Sequence, residues 1–168
     1  MKVFLTGMPG CGKSTFGRKV AAKLDSDFID LDKVIVEKEG LSISEIFETK
    51  GEKYFREIES ALLKETIINK NQFIMATGGG APCFFDNMNY MNENGITIYI
   101  DTPIEILLER LTVSGINKRP LLKQMGEEYL YEGLVDKLKL RLPFYNMANH
   151  VLAYHRNLEY DIAACLTS

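Results

Sequence analysis

The run Gly7-Met8-Pro9-Gly10-Cys11-Gly12-Lys13-Ser14 has the residue types and spacing of a loop that wraps phosphate. Glycines on either side of a four-residue gap let the backbone turn tightly and approach an anion with no Cβ in the way, so that successive N–H groups converge on phosphate oxygens. Lys13 adds a mobile positive charge for the β and γ phosphates. Ser14 offers a hydroxyl to a magnesium ion, and the helix it opens turns its positive end toward the phosphates. The loop lies between an apolar run, Lys2-Val3-Phe4-Leu5-Thr6, and a helical pattern, the order such a loop requires. A plain glycine turn is the alternative reading.

Other residues could join this chemistry. Phe28 to Asp32 reads as a short strand, in which Asp30 and Asp32 project the same way, toward the end where ligands collect in open α/β sheets. Two carboxylates there suit a metal ion or a proton acceptor; a helix N-cap with a solvated acid would explain only one of them. Gly78-Gly79-Gly80 ends the apolar strand Phe73 to Thr77. Three glycines cost conformational entropy, so close approach of backbone to a ligand accounts for them better than a plain turn. Arg56 and Glu59 lie three apart on one helical face, by themselves a surface ion pair. Asp101 could pass for a magnesium acid, but Pro103 marks a helix start and favours turn and cap chemistry. Cys11, Cys83 and Cys165 are odd in number and form no Cys-x-x-Cys, so neither a disulfide framework nor a zinc site is expected. Cys11 reads as a neutral spacer in the loop rather than an oxidation-sensitive thiol. His150 and His155 are not spaced as a metal pair and read as structural or solvent-facing.

The elements that must position these residues alternate along the chain. Phe16, Val20 and Leu24 give an amphipathic helix from Ser14 to Leu24. Ser42-x-x-Glu45 forms a capping box for a short helix that Gly51 could terminate, and a longer helix runs from about Glu52 to Ile68. Helical pattern continues over Phe84 to Asn94, where methionines fill gaps, then a buried strand runs from Ile96 to Ile100, and Asp101-Thr102-Pro103 turns it into a helix whose apolar positions are Ile106, Leu107 and Leu111. From 112 to 124 no period holds, and Gly115, Asn117 and Pro120 are interspersed with Lys118, Arg119 and Lys123. A basic irregular segment of that length reads as a mobile lid rather than a disordered tail. Helix resumes from about Glu127 to Asn146, with Pro143 near its end, and a last strand, His150 to Tyr154, leads to a closing helix. Five strands alternating with helices predict a three-layer α/β sandwich around a parallel sheet, with the ligand site at the strands' carboxyl ends. The 168 residues, 46% hydrophobic and 26% charged, suit one domain spanning 1–168. A net charge of −3 advertises no basic surface for nucleic acid. No apolar run approaches the ~18 residues of a membrane span, and residues 1 to 6 read as a strand rather than a signal peptide, so a cytoplasmic location is expected.

Taken together, the phosphate loop, Asp30-Leu31-Asp32, Phe55-Arg56-Glu57-Ile58-Glu59, Gly78-Gly79-Gly80, Arg119-Pro120-Leu121 and Arg141-x-Pro-x-Tyr145 resemble the shikimate kinases over essentially the whole chain. The resemblance implies a P-loop kinase fold with a substrate-binding segment at about 31–60 and a lid at about 112–124. It implies transfer of the γ-phosphoryl group of ATP to the 3-hydroxyl of shikimate, on the route to chorismate and the aromatic amino acids. The catalytic residues would be Asp32, Lys13 and Arg119, with Asp32 orienting or deprotonating the attacking hydroxyl. ATP would be bound by Gly10, Cys11, Gly12, Lys13, Ser14 and Thr15, with Arg110 stacking on adenine and Arg119 and Arg156 completing the set. Shikimate would be bound by Asp32, Arg56, Gly78, Gly79, Gly80 and Arg141, since a carboxylate calls for guanidinium groups, and Glu59 would hold Arg56 in place. Magnesium would be held by Ser14, with Asp30 as an outer partner through water. The expected partners are shikimate and ATP, with no nucleic acid and no membrane, and the enzyme is expected to be a monomer. A gluconate or nucleoside monophosphate kinase would share the loop and lid without needing Asp32, Arg56 and Arg141 together. A GTP-dependent switch would want Asn-Lys-x-Asp, and both Asn69-Lys70-Asn71-Gln72 and Asn117-Lys118-Arg119-Pro120 lack the acid.

Overall fold

Strand β1 (Lys2–Thr6) runs through the middle of a five-stranded sheet of order β2-β3-β1-β4-β5, in which every pair is parallel. The computed structural model describes residues 1–114 and 130–167. The element order is β1, α1 (Lys13–Lys23), β2 (Phe28–Asp30), α2 (Leu31–Glu39), α3 (Ile43–Asn69), β3 (Phe73–Ala76), a 3-10 turn (Ala81–Cys83) and α4 (Asn87–Asn94). Then follow β4 (Ile96–Asp101), α5 (Ile104–Ser114), α6 (Leu130–Tyr145), β5 (His150–Ala153) and α7 (Leu158–Thr167). Strand alternation builds two cores. Val3 and Leu5 face a layer that includes α1, α5, α6 and α7, while Phe4 faces the layer of α2, α3 and α4. This is the expected three-layer sandwich. Among the described residues no helix is long and apolar enough to cross a membrane.

Three local expectations need correction. β2 stops at Asp30, and α2, which the sequence reading lacked, begins at Leu31. Leu31 and Ile35, one turn apart, are fully buried, and Gly40 at φ 66° closes the helix with its N–H on Val36 O at 2.9 Å. Asp32 therefore stands in the first turn of a helix. As expected, Gly51 (φ 82°, ψ 168°) interrupts the helix and a longer helical segment follows directly, so α3 is two helical segments in succession. The capping box at its start is present, with Ser42 N–H on Glu45 Oε2 at 2.7 Å and Glu45 N–H on Ser42 Oγ at 3.2 Å. α4 begins at Asn87 rather than Phe84, because Phe85 and Asp86 hold positive φ of 51° and 57°. Asn87 is pinned between Ser60 Oγ (2.7 Å) and Ala81 O (2.9 Å). Asp101 closes β4 and accepts the Tyr99 hydroxyl at 3.1 Å, a strand-end role rather than a cap. The buried Met88 and Met91 do fill gaps, and His155 pairs with Asp161 on the surface at 2.5 Å. Most of the expected lid, including Lys118, Arg119, Pro120 and Lys123, lies outside the described residues.

Candidate active site

The loop between β1 and α1 is shaped by positive φ at Gly7 (136°), Gly10 (88°) and Gly12 (102°), a path that side chains resist. A Cβ at Gly12 would come within 2.8 Å of the Phe16 ring, and one at Gly7 within 2.9 Å of Ile100 O. The loop is thus fitted as tightly to the core beneath it as to anything above. Lys13, only 9% exposed, donates from Nζ to Gly7 O at 2.8 Å and Met8 O at 3.1 Å, which holds its ammonium over the loop. Ser14 Oγ donates to Asp30 Oδ2 at 2.8 Å. Asp30 precedes α2 but makes no side-chain cap, so its carboxylate serves Ser14 instead. Arg110 from α5 braces the loop from the other side. Its Nη1 donates to Gly10 O at 2.9 Å and its Nη2 to the Tyr154 hydroxyl at 2.5 Å, with the guanidinium 4.5 Å from the Tyr154 ring centre.

Across the cavity, α3 presents Arg56, 5% exposed, paired through Nη1 to Glu59 Oε2 at 2.7 Å and through Nη2 to Glu52 Oε1 at 3.3 Å. The guanidinium lies between the rings of Phe55 and Phe84, 5.0 and 4.7 Å from their centres. What looked like a surface pair is therefore buried and enclosed by aromatic faces. Three glycines give it room. A Cβ at Gly80 would stand 2.6 Å from Arg56 Nη1, one at Gly78 2.5 Å from Glu59 Oε1, and one at Gly79 3.1 Å from Arg141 Nη1. The close approach foreseen at this run is first of all an approach of charged side chains. Arg141 from α6 reaches the same wall, and among the described residues its buried Nη1 has no hydrogen-bond partner. Tyr145, one turn on, is fully buried and donates to Gly79 O at 2.5 Å.

Burial governs the charges here. It pushes Glu59 up to about 7 despite the opposing pull of Arg56, and the neighbouring Asp32 adds to the rise. Burial likewise pushes the Cys83 thiol up to about 11, so that it is inert as a thiolate source at neutral pH. The Lys137 ammonium is pulled below its ordinary range by burial and by the adjacent Arg141.

The site residues expected from sequence mostly converge. Gly10, Gly12, Lys13, Ser14, Thr15, Asp30 and Arg110 line one cavity of about 620 Å³ together with Asp32, Arg56, Glu59, Gly78, Gly79, Gly80 and Arg141. Asp30 and Asp32 share this cavity although one ends a strand and the other opens a helix. Cys11 does not line it: its side chain is buried in the core and its N–H donates to Met8 O at 3.2 Å. Arg156 lies in a neighbouring depression with Ile106, Glu109, Val113 and Tyr154, joined to the main cavity at Arg110. Arg119 lies outside the described residues. Sequence reasoning missed Ile43, Phe47 and Phe55, which form an apolar wall, and Lys137, one helical turn before Arg141. The i, i+4 spacing of Lys137 and Arg141 was the available signal. Among the described residues no group of three or more His, Cys, Asp or Glu gathers to hold a metal.

The family model described as shikimate kinase matches residues 9–167. A shikimate kinase of Bacteroides fragilis is 41% identical over 151 residues, covering 90% of this chain and 83% of that protein. One from Clostridium botulinum is 44% identical over 149 residues, covering 89% and 84%. Among solved structures, the shikimate kinase of Bacteroides thetaiotaomicron superposes with a TM-score of 0.87 at 34% identity, covering 99% of this chain and 96% of that one. That of Acinetobacter baumannii in complex with shikimate gives 0.88 at 34%, covering 99% and 90%.

Proposed function

The chain belongs to the shikimate kinase family, and we propose that its cavity holds shikimate between α3, α6 and the glycine run, with the 3-hydroxyl turned toward the γ-phosphate of ATP on the loop. The reaction is ATP-dependent phosphorylation of shikimate to shikimate 3-phosphate and ADP, a step of aromatic amino-acid biosynthesis. The observation that carries the assignment of residues is the convergence of Arg56 and Arg141, from two distant helices, on the cavity that also contains Lys13, Ser14 and Asp32. Two guanidinium groups suit a carboxylate, and that group takes no part in the transfer, so they anchor the substrate without entering the chemistry. Family membership sets aside the gluconate, nucleotide and GTP-switch alternatives.

Phosphoryl transfer is chiefly positioning and neutralisation of charge. In this reading the N–H groups of the loop and the N-terminus of α1 receive the phosphates. Lys13 exchanges its loop carbonyls for phosphate oxygens. Arg110 braces the loop at Gly10 and offers its guanidinium face to adenine, while Arg156 borders the base from the neighbouring depression. Asp32, next to Gly78, accepts the hydroxyl proton or orients the hydroxyl for attack. Glu59 holds Arg56 against the glycine run. The Ser14 hydroxyl and Asp30 carboxylate, 2.8 Å apart, are hard oxygen donors that suit magnesium, which prefers few protein ligands and keeps several waters. When bound there, magnesium would neutralise the phosphate charge. Arg119, outside the described residues, keeps the lid role that the resemblance implies. One unit spanning 1–168, a monomer and a cytoplasmic location belong to the same reading, the last supported by the need for ATP.

A coupled assay with ATP and a panel of shikimate, gluconate and nucleoside monophosphates tests the proposal. Turnover with shikimate alone is expected, and turnover with another acceptor at comparable kcat/KM would overturn it.

A further inference from the structure

Phe84 is a large apolar residue that the fold leaves 38% exposed, and among the described residues it belongs to neither apolar core. Its ring faces a charge instead. The guanidinium carbon of Arg56 lies 4.7 Å from the ring centre, within the range at which a cation is attracted to an aromatic face. Arg56 and Phe55 line the cavity and Phe84 does not, so Phe84 meets Arg56 without itself facing a ligand. The backbone beside it is costly to hold. Phe85 and Asp86 take positive φ of 51° and 57°, a left-handed conformation that a bulky phenylalanine resists. Asn87 keeps the turn in place: its N–H donates to Phe84 O at 3.0 Å, and its buried side chain is fixed between Ser60 Oγ and Ala81 O. On the other side the 3-10 turn leads back to Gly80, whose missing Cβ makes room for the same guanidinium. One short segment thus meets Arg56 twice, at Gly80 and at Phe84.

We propose that Phe84 is a positioning residue for the substrate: its ring fixes the tilt of the Arg56 guanidinium, so that the carboxylate meets a pre-set plane of donors. The inference rests on the cavity's being the shikimate site, with Arg56 as a carboxylate ligand. Glu59 and Glu52 already hold the guanidinium through Nη1 at 2.7 Å and Nη2 at 3.3 Å. Such bonds point along the N–H directions, in the plane of the group, and resist rocking out of that plane only weakly. A ring packed on the guanidinium opposes the rocking, and bidentate pairing with a carboxylate depends on that plane. Phe55, with its ring centre 5.0 Å away, is the neighbouring residue on α3 and moves with Arg56. Phe84 comes from a separate segment and so fixes Arg56 against the rest of the fold. Arg56 is then ordered before the substrate arrives, and binding does not bear the cost of ordering it. The contribution belongs to KM rather than to kcat.

Wild type, Phe84→Leu, Phe84→Tyr, Arg56→Ala and the double variant Phe84→Leu with Arg56→Ala are compared by calorimetry with shikimate and by steady-state kinetics with shikimate and ATP. Phe84→Leu keeps apolar bulk and removes the aromatic face. Its shikimate affinity is expected to fall roughly two- to tenfold, the cost of ordering one long side chain on binding. The value of kcat should stay within about twofold, and the KM for ATP should not move. Phe84→Tyr, which keeps the face, should bind shikimate like wild type. In the Arg56→Ala background, Phe84→Leu should cause no further loss, because a residue that acts through Arg56 has nothing left to position. Unchanged shikimate affinity in Phe84→Leu overturns the proposal, as does a Phe84→Tyr enzyme as weak as Phe84→Leu. The same loss repeated without Arg56, or equal rises in KM for shikimate and ATP, also overturns it, since a ring that merely supports its turn would act in that way. An Arg56→Ala protein with normal shikimate affinity overturns the reading of Arg56 itself, and this inference with it.

Discussion

Asp32, Arg56 and Arg141 share one cavity, and in the proposed reading they answer to different parts of the substrate, so their variants should separate. Arg56→Ala or Arg141→Ala removes a charge-assisted contact worth roughly 1.5–3 kcal/mol, so shikimate affinity should fall about ten- to a hundred-fold. Asp32→Asn keeps shape and hydrogen-bonding capacity but loses basicity, and should lower kcat more than affinity. Calorimetry beside turnover distinguishes the two, and normal shikimate affinity in both arginine variants would remove the carboxylate clamp. Glu59 makes a second prediction, in pH. Its carboxyl titrates at about 7 in the fold against 4.5 ordinarily, so the folded state holds the proton more tightly than the unfolded chain does. The resulting stability is complete below pH 4.5 and is lost as pH rises through 7, about 3 kcal/mol at most. Glu59→Gln keeps the shape without the titration. The stability of wild type relative to this variant should therefore decline from about pH 5 to 7 and then level off; a flat difference would contradict the buried-acid assignment. The three-residue spacing of Arg56 and Glu59 was legible in the sequence, but their burial was not, because it depends on Phe84 folding over the guanidinium from a later segment. Lys137 was passed over because one lysine in an amphipathic helix is ordinarily a solvated one.

Among the elements, the glycine run and the kink in α3 test opposite uses of glycine. Gly80 has an ordinary backbone, φ −95° and ψ −17°, but its Cβ would fall 2.6 Å from the Arg56 guanidinium. Gly80→Ala should displace Arg56 and raise the KM for shikimate at least several-fold, with a smaller effect on the KM for ATP. At Gly51, φ is 82° and nothing lies within 4 Å of where a Cβ would sit. Gly51→Ala should therefore cost roughly 1–2 kcal/mol of stability through backbone strain alone and leave the shikimate KM nearly unchanged. Urea midpoints beside the two KM values separate these outcomes, and a Gly80→Ala enzyme with normal shikimate KM would show that Arg56 can bind from a shifted position. Loop, glycine run and buried strands were legible because glycine spacing and continuous apolar runs are local signals. α2 was not, since nine residues with only Leu31 and Ile35 buried leave little period to read. That omission also put Asp32 on a strand, although strand end and helix start deliver the two acids to the same cavity.

Over the whole molecule, the order of the sheet brings distant segments to one end, and Tyr145 shows how they are joined. It sits in the last turn of α6, stacks on Tyr99 of β4 with ring centres 4.9 Å apart, and donates its hydroxyl to Gly79 O at 2.5 Å. One side chain thus ties α6 to the sheet and to the glycine run that makes room for Arg56, Glu59 and Arg141. The alternation of strands and helices was enough to predict a parallel sheet, but this link spans 66 positions in the chain and leaves no local pattern. Tyr145→Phe keeps the stacked ring and deletes only the hydroxyl. The buried hydrogen bond should be worth about 1–2 kcal/mol, read as a lower thermal midpoint. Because Gly79 is then less firmly fixed beside Arg141, the KM for shikimate should rise while the KM for ATP stays close to wild type. Equal rises in both would mean that Tyr145 supports the fold as a whole, and unchanged values for both at a lowered midpoint would mean that the glycine run is held by its other contacts.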